Sequence, residues 1–255
     1  MSHRTKFALG LLFCLGATLA MAQTAEELVG KNIQAKGGMD KIKAIKTLRM
    51  KGRFQQDSFT AEVVQDMKAP DLMRQEFIIQ GMTAVQAYDG STGWQIQPFG
   101  GRKDPELMGE DDLKPFIEDA DFYGPLVDYQ AKGSSVEYLG HDTIDGDDVY
   151  KLKCTLKNGD VYYYYLDPDS YLEIRVETQR YIRGALREAI TNYGSYKLVS
   201  GVYYPFDIES GGKRDPSLSK ISISSIEANI PLDDSLFKMP TKTTPAGQKQ
   251  PPSKP

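Results

Sequence analysis

The hydrophobic period of this chain changes near residue 47 from helical to alternating, and alternation then dominates apart from one helical interruption in the middle. Residues 24–44 read as helical: Thr24 can cap, Glu27 holds the capping-box position, and Leu28, Ile33 and Ala35 give an apolar face. Gly37-Gly38 breaks that helix, and a short turn through Ile42 and Ile45 follows. From Thr47, Leu48, Met50 and Phe54 alternate with Arg49, Lys51 and Arg53, as in a strand buried on one side. The same period predicts strands over 59–68, 73–80, 82–88 and 94–98, with Asp89-Gly90 as a turn signal. Short strands joined by tight turns imply an antiparallel meander rather than a βαβ fold.

The middle of the chain interrupts this pattern. Asp104-Pro105-Glu106 reads as a helix start. Leu113, Phe116, Ile117 and Ala120 recur at helical spacing, as do Phe122, Leu126 and Tyr129, with Pro115 and Pro125 dividing the segment into short helices. Their outer faces are acidic, through Glu110, Asp111, Asp112, Glu118, Asp119 and Asp121. Strands resume near Val136. Within 149–166, Asn158-Gly159 predicts a two-residue primed turn, which sets Leu156 opposite Val161, Cys154 opposite Tyr163 and Leu152 opposite Tyr165. Further strands are expected over 171–181, 187–199, 202–209 and 219–227. Residues 241–255, rich in proline, lysine and threonine without a large apolar side chain, are expected to be a disordered tail. No linker interrupts 47–239, so 23–240 is expected to be one domain.

Two features of composition narrow the function. Arg4 and Lys6, an apolar stretch over 7–20 and Ala20-Met21-Ala22 have the order of a signal peptide, residues 1–22, cleaved after Ala22. Phe13 stands before Cys14 where a lipoprotein signal needs a small residue, so a soluble periplasmic protein is expected, with no integral membrane segment after cleavage. Cleavage leaves His141 as the one histidine and Cys154 as the one cysteine, which leaves few routes to metal, thiol or Ser-His-Asp catalysis. His141 lies among Asp142, Asp145, Asp147 and Asp148, without the alternating ligand spacing of a calcium loop before Gly146. No catalytic residue, cofactor or metal site is expected, and Cys154 reads as a buried, inert thiol. Losing Arg4 and Lys6 takes the formal net charge from −4 to about −6, which disfavours nucleic acid and anionic membrane surfaces as partners, since both require basic patches.

A family likeness rests on particular stretches: Gly37-Gly38 through Ile45-Lys46-Thr47-Leu48, Pro70 with Arg74, and Tyr88-Asp89-Gly90 with Gly93-Trp94. Tyr193 through Gly201-Val202 to Pro205-Phe206 and Asp234 through Phe237 to Pro240 complete it. In these the chain resembles the LolA/LolB-like lipoprotein-carrier superfamily, and in particular exported outer-membrane lipoprotein-sorting proteins. The resemblance implies an α+β fold: a strongly curved antiparallel β-sheet, a half-barrel, with helices covering its concave face. It also implies a non-enzymatic carrier that takes lipid, or the acyl chains of a lipidated protein, into a hydrophobic cavity.

On that reading the cavity-lining candidates are Met50, Phe54, Phe77, Ile79, Trp94, Leu152, Tyr163 and Tyr165. Leu113, Phe116, Ile117, Phe122 and Leu126 are lid candidates, and Arg53 and Arg74 are candidate polar contacts to cargo or lid. The bland alternative for the apolar set is a closed core, because alternation reports burial and not voids. A rival for the whole chain is an envelope sensor or protein-interaction module of the same fold, binding a partner protein without lipid. A hydrolase is the other rival, opposed by the lack of a usable histidine partner.

Overall fold

The computed structural model describes residues 23–214 and 217–241; the expected signal peptide and the tail beyond Thr241 lie outside them. Helices α1 (Ala25–Lys36) and α2 (Met39–Ala44) precede β1 (Thr47–Gln56), β2 (Phe59–Lys68), β3 (Leu72–Ile79), β4 (Met82–Tyr88), β5 (Gly93–Gln97) and β6 (Arg102–Leu107). After α3 (Glu110–Asp119) come β7 (Ser135–Ile144), β8 (Asp147–Thr155), β9 (Val161–Leu166), β10 (Glu173–Ile182) and β11 (Ala185–Gly194). The remainder is β12 (Lys197–Val199), β13 (Val202–Tyr204), β14 (Asp207–Gly212) and β15 (Ser219–Ala228). Thirteen strands form one open antiparallel sheet in the order β6-β5-β4-β3-β2-β1-β15-β14-β11-β10-β9-β8-β7, while β12 and β13 pair as a separate ribbon.

Local chemistry sets the helical corner. The Thr24 hydroxyl accepts from the Glu27 amide at 3.1 Å. Gly37, at φ +131°, ends α1, and a Cβ there would lie 2.2 Å from the Gly201 carbonyl oxygen. The turn therefore has no room for a side chain, and it seats the helices against the β12–β13 ribbon.

Five expectations about local structure change. Residues 39–44 form a second short helix where a turn was expected. Asp104-Pro105 does not start a helix: it lies in β6, where Glu106 pairs with Gln95, because a sheet edge tolerates the missing proline donor. Helix α3 begins after Gly109 and runs through Pro115 without dividing. Residues 122–130 are turns, broken by left-handed backbone at Gly124 and Asp128. The expected strand 187–199 divides at Ser195, φ +53°, sending β12 off the main sheet.

The β8–β9 hairpin corrects the register by one residue. Its loop has three residues, not two: the Gly159 amide donates to the Leu156 carbonyl at 2.9 Å, and the Leu156 amide donates to the Asp160 carbonyl at 2.8 Å. Gly159, at φ +89°, supplies the left-handed residue that follows a type I turn in such loops. The Asn158 side chain accepts from the Asp160 amide at 3.0 Å and fixes this choice. Consequently Cys154 pairs with Tyr162 and Leu152 with Tyr164, while Tyr163 opposes Lys153 and Tyr165 opposes Lys151.

With that register, alternation assigns every strand residue to one of two faces. On the helix-side face, Leu28 and Val29 of α1 share a core with Leu152, Cys154, Tyr162, Tyr164 and Val176. Ile42 of α2 and Phe116 of α3 share another with Leu48, Met67, Met73 and Tyr88. The opposite face carries two smaller clusters, one around Trp94, Val85 and Ala87 and one around Val149, Ile144 and Tyr165.

Burial in the α1 core pushes the Cys154 thiol from 9.0 up to about 11. The unfolded chain then releases this proton before the folded one, so stability present below pH 9 is lost as pH rises through 11. The loss amounts to about 2–3 kcal/mol from this group. Urea denaturation across that range should show the decline, and Cys154→Ala should make it shallower; an unchanged slope in the variant would contradict the assignment.

Candidate binding cleft

An open cleft of about 230 Å³ lies where α1, α2, the 122–127 turns and the β12–β13 ribbon meet the helix-side face of the sheet. Tyr164 of β9, Val176 of β10 and Tyr193 of β11 form its sheet wall. Ile33 and Ile42 come from the helices, Phe122 and Leu126 from the turns, and Val202 and Tyr204 from the ribbon. Pairing brings these distant stretches together, because β10 joins β9 to β11, and β14 joins β11 to β15.

Polar groups occupy one side of the cleft. Lys36 lies 3.1 Å from the Glu173 carboxylate. The Tyr196 hydroxyl donates to the Glu173 carbonyl at 2.7 Å, and the buried Asn32 amide donates to the Tyr171 carbonyl at 2.8 Å. Burial raises the phenols of Tyr164, Tyr193 and Tyr196 well above their usual range, and that of Tyr204 to about 12. All four stay neutral at physiological pH, so the wall is an apolar surface edged with uncharged hydroxyls. Among the described residues no buried side-chain nitrogen or oxygen lacks a hydrogen-bond partner, and no cluster of three metal-ligating side chains occurs.

The candidates from the sequence fall in several places. Phe122 and Leu126 line the cleft. Met50, Phe54, Phe77 and Ile79 stand on the same face but farther along β1 and β3, where Phe54 meets Phe77 edge-to-face at 5.6 Å. Leu152 is fully buried beneath α1. Trp94 lies on the opposite face, its indole donating to the Phe237 carbonyl at 2.7 Å, so the C-terminal segment covers it. Tyr163 and Tyr165 also lie on that face, as the corrected register requires. Arg74 is held there by Glu76 at 2.6 Å and by the Leu236 carbonyl; Arg53 is exposed on the same side. Leu113 and Phe116 pack into the α2–α3 core, and Ile117 is exposed.

Sequence reasoning missed Ile33, Tyr193, Tyr196, Tyr204, Lys36 and Glu173 as cleft residues. The density of tyrosine over 193–204 was the available signal. It also placed Glu118 on a solvated outer face. Instead the Glu118 carboxylate is buried, accepting from Arg180 at 2.6 Å, from Tyr162 at 2.7 Å and from Asn158 at 3.0 Å. Lys114 adds a second tie from α3, 2.6 Å from the fully buried Asp160.

Compared by sequence, the chain matches no protein-family model and no curated protein. Compared by fold, it is similar to a LolA superfamily protein of Nitrosomonas europaea, with TM-score 0.58, 14% identity, and 85% of this chain and 98% of that one covered. A DUF1329 family protein of Desulfovibrio piger gives TM-score 0.60 at 13% identity, covering 85% and 98%. A putative outer membrane lipoprotein-sorting protein domain of Vibrio parahaemolyticus gives 0.54 at 13%, covering 82% and 97%. The chain thus has the fold of LolA superfamily proteins, as its sequence motifs suggested.

Proposed function

We propose that this protein is an exported, non-enzymatic carrier that shelters acyl chains of a lipid or lipidated protein in the tyrosine-walled cleft. Residues 23–240 form the carrier, released into the periplasm by cleavage after Ala22. The observation that carries this reading is the cleft itself: neutral, mostly apolar, open, and bounded by segments of three kinds. Each acyl methylene buried there contributes roughly 0.8 kcal/mol, so a short length of chain binds without covalent chemistry. At about 230 Å³ the cleft is smaller than typical ligand sites of roughly 300–1,000 Å³. A longer chain requires the 122–130 turns to move outward, with Phe122 and Leu126 as the moving cover, and loading is then a population shift.

The half-barrel is part of the proposal, and α3 supports it. Leu113 of α3 lies against Gly93 of β5, where a Cβ would come 2.1 Å from its Cδ1, while Glu118 grips Arg180 of β10. In the sheet order β5 and β10 stand eight strand intervals apart. Laid flat, that is about 38 Å at roughly 4.8 Å per interval. A ten-residue helix is only about 15 Å long. One helix reaches both strands if the sheet bends around it, which puts the helices in the hollow. Met50, Phe54, Phe77 and Ile79 then continue the hollow's apolar lining beyond the cleft.

Titration of delipidated protein with a fluorescent fatty acid tests the reading. Saturable binding, reversed by adding phospholipid, is expected; no uptake under any condition would leave the cleft as an accident of packing.

A further inference from the structure

We infer that the cleft reads the linkage of its guest: the unpartnered hydroxyls of Tyr164 and Tyr193 donate to the oxygens of an acyl ester, and the charges around them keep a free carboxylate out. On the carrier reading, on which this rests, the cargo is a chain held in ester linkage. Strand pairing puts the two phenols on one face. Tyr164 of β9 pairs with Val176 of β10, and Val176 pairs with Thr191 of β11, two residues before Tyr193. Both line the cleft, together with Tyr204 of the ribbon.

Two phenols of the cleft are already engaged: Tyr196 donates to the Glu173 carbonyl at 2.7 Å, and Tyr123 to the Ile45 carbonyl at 3.3 Å. The hydroxyls of Tyr164, Tyr193 and Tyr204 make no hydrogen bond among the described residues. Tyr164 is nonetheless only 5% exposed. No sealed-in oxygen of a described side chain lacks a partner, so these three oxygens remain open to the cleft they line. Burial holds the phenols of Tyr164 and Tyr193 well above their usual range, and each keeps its proton to donate. An open cleft lets water serve such donors. A guest of hydrocarbon alone strips that water and strands them, and a stranded donor costs more than a neutral hydrogen bond returns. The guest that fits carries acceptor oxygens at this point of its chain.

Charge decides between an ester and an acid. The charged groups that act on these two phenols are Glu173, Asp119 and Arg180. Glu173 already holds Lys36 at 3.1 Å, and Arg180 is held by Glu118 at 2.6 Å and Asp119 at 3.4 Å. Three acids thus face two bases, no cation is spare, and a carboxylate brought among them meets net negative charge. Lys41, Lys43 and Lys46 lie outside the lining; Lys43 pairs with Asp128, and Lys46 donates to the Tyr123 hydroxyl at 3.1 Å. They stand where an acid group would stay in water. A free fatty acid therefore enters by its chain with its carboxylate at the mouth, whereas an ester, neutral and rich in acceptors, passes inside to the two hydroxyls.

Displacement of a bound fluorescent fatty acid by methyl decanoate, decanoate and decane, at neutral pH, tests this. The ester should bind the native protein about tenfold or more tightly than the acid, because a charge costs far more to bury than a neutral acceptor. Tyr164→Phe and Tyr193→Phe should each weaken the ester about fivefold, the worth of one neutral hydrogen bond. The same variants should bind decane more tightly, since the donor that decane strands is gone. A packing role alone would move ester and decane in the same direction. Neither variant should lower Tm, as neither hydroxyl has a partner to lose. Glu173→Gln releases Lys36 and should raise decanoate affinity by about fivefold or more, through a charge-assisted hydrogen bond. Equal affinity for ester and acid, phenol variants that keep the ester or lose ester and decane together, or no gain of decanoate in Glu173→Gln would overturn the inference and leave the carrier reading standing. A native protein that takes up neither the probe nor any of the three compounds would end both.

Discussion

Arg180→Met should lower the unfolding free energy by about 3–5 kcal/mol, the cost of leaving a buried carboxylate without its cation. The guanidinium donates to Glu118 at 2.6 Å and to the Tyr162 hydroxyl at 2.7 Å, and it lies 5.3 Å from the Tyr162 ring centroid. Methionine replaces the stem and none of the donors, so Glu118 keeps only Tyr162 and Asn158. For a chain of this size the loss should appear as a fall in Tm of about 10 °C. Replacing both partners, Glu118→Leu with Arg180→Met, should recover most of it, because a well-packed apolar pair need not lose to a buried ion pair. A single-variant loss below about 1 kcal/mol, the range of exposed pairs, would mean that α3 is not clasped to β10.

Ile33→Trp should weaken fatty-acid binding at least tenfold while leaving the fold intact. Ile33 is half-buried on α1, lines the cleft, and packs against both large cores. An indole at this position takes up space that a guest chain would use. Displacing even two methylenes costs about 1.6 kcal/mol, or roughly a factor of fifteen in affinity. Ile33→Leu, of equal volume, should bind as the native protein does, which separates filling from disturbance. Equal affinity in the tryptophan variant would place any bound chain elsewhere, for which Phe54, Phe77 and Ile79 offer the alternative surface.

The strands were legible because one-sided burial writes its period directly into the chain: Leu48, Met50 and Phe54 announce β1, and Met82–Tyr88 was bounded to the residue. The one-residue error at Asn158-Gly159 has a definite cause. The same dipeptide closes two-residue and three-residue loops, and here the Asn158 contact with the Asp160 amide decides between them. That shift moved Tyr163 and Tyr165 to the far face and put Tyr162 and Tyr164 beside Cys154 and Leu152. Trp94 was misplaced for a different reason, since alternation orders residues within a strand but does not say which face the C-terminal segment covers.

The cleft itself was not legible. Its wall combines α1, the turns after α3, three strands and the ribbon, and their proximity follows from sheet order, which local pattern does not encode. Glu118 was hidden similarly. On a helix rich in acids it reads as one more solvated charge until β10 delivers Arg180 to it. The two lid candidates that line the cleft, Phe122 and Leu126, lie in turns, where burial was recognised and the backbone was not.

Whether the cleft holds hydrocarbon is decided most directly by native mass spectrometry of the protein, expressed from its full sequence and purified gently. A second population is expected, heavier by the mass of one lipid or acyl group, that Ile33→Trp depletes. A single species at the polypeptide mass, from protein that also takes up no fatty acid when lipid is supplied, would contradict it.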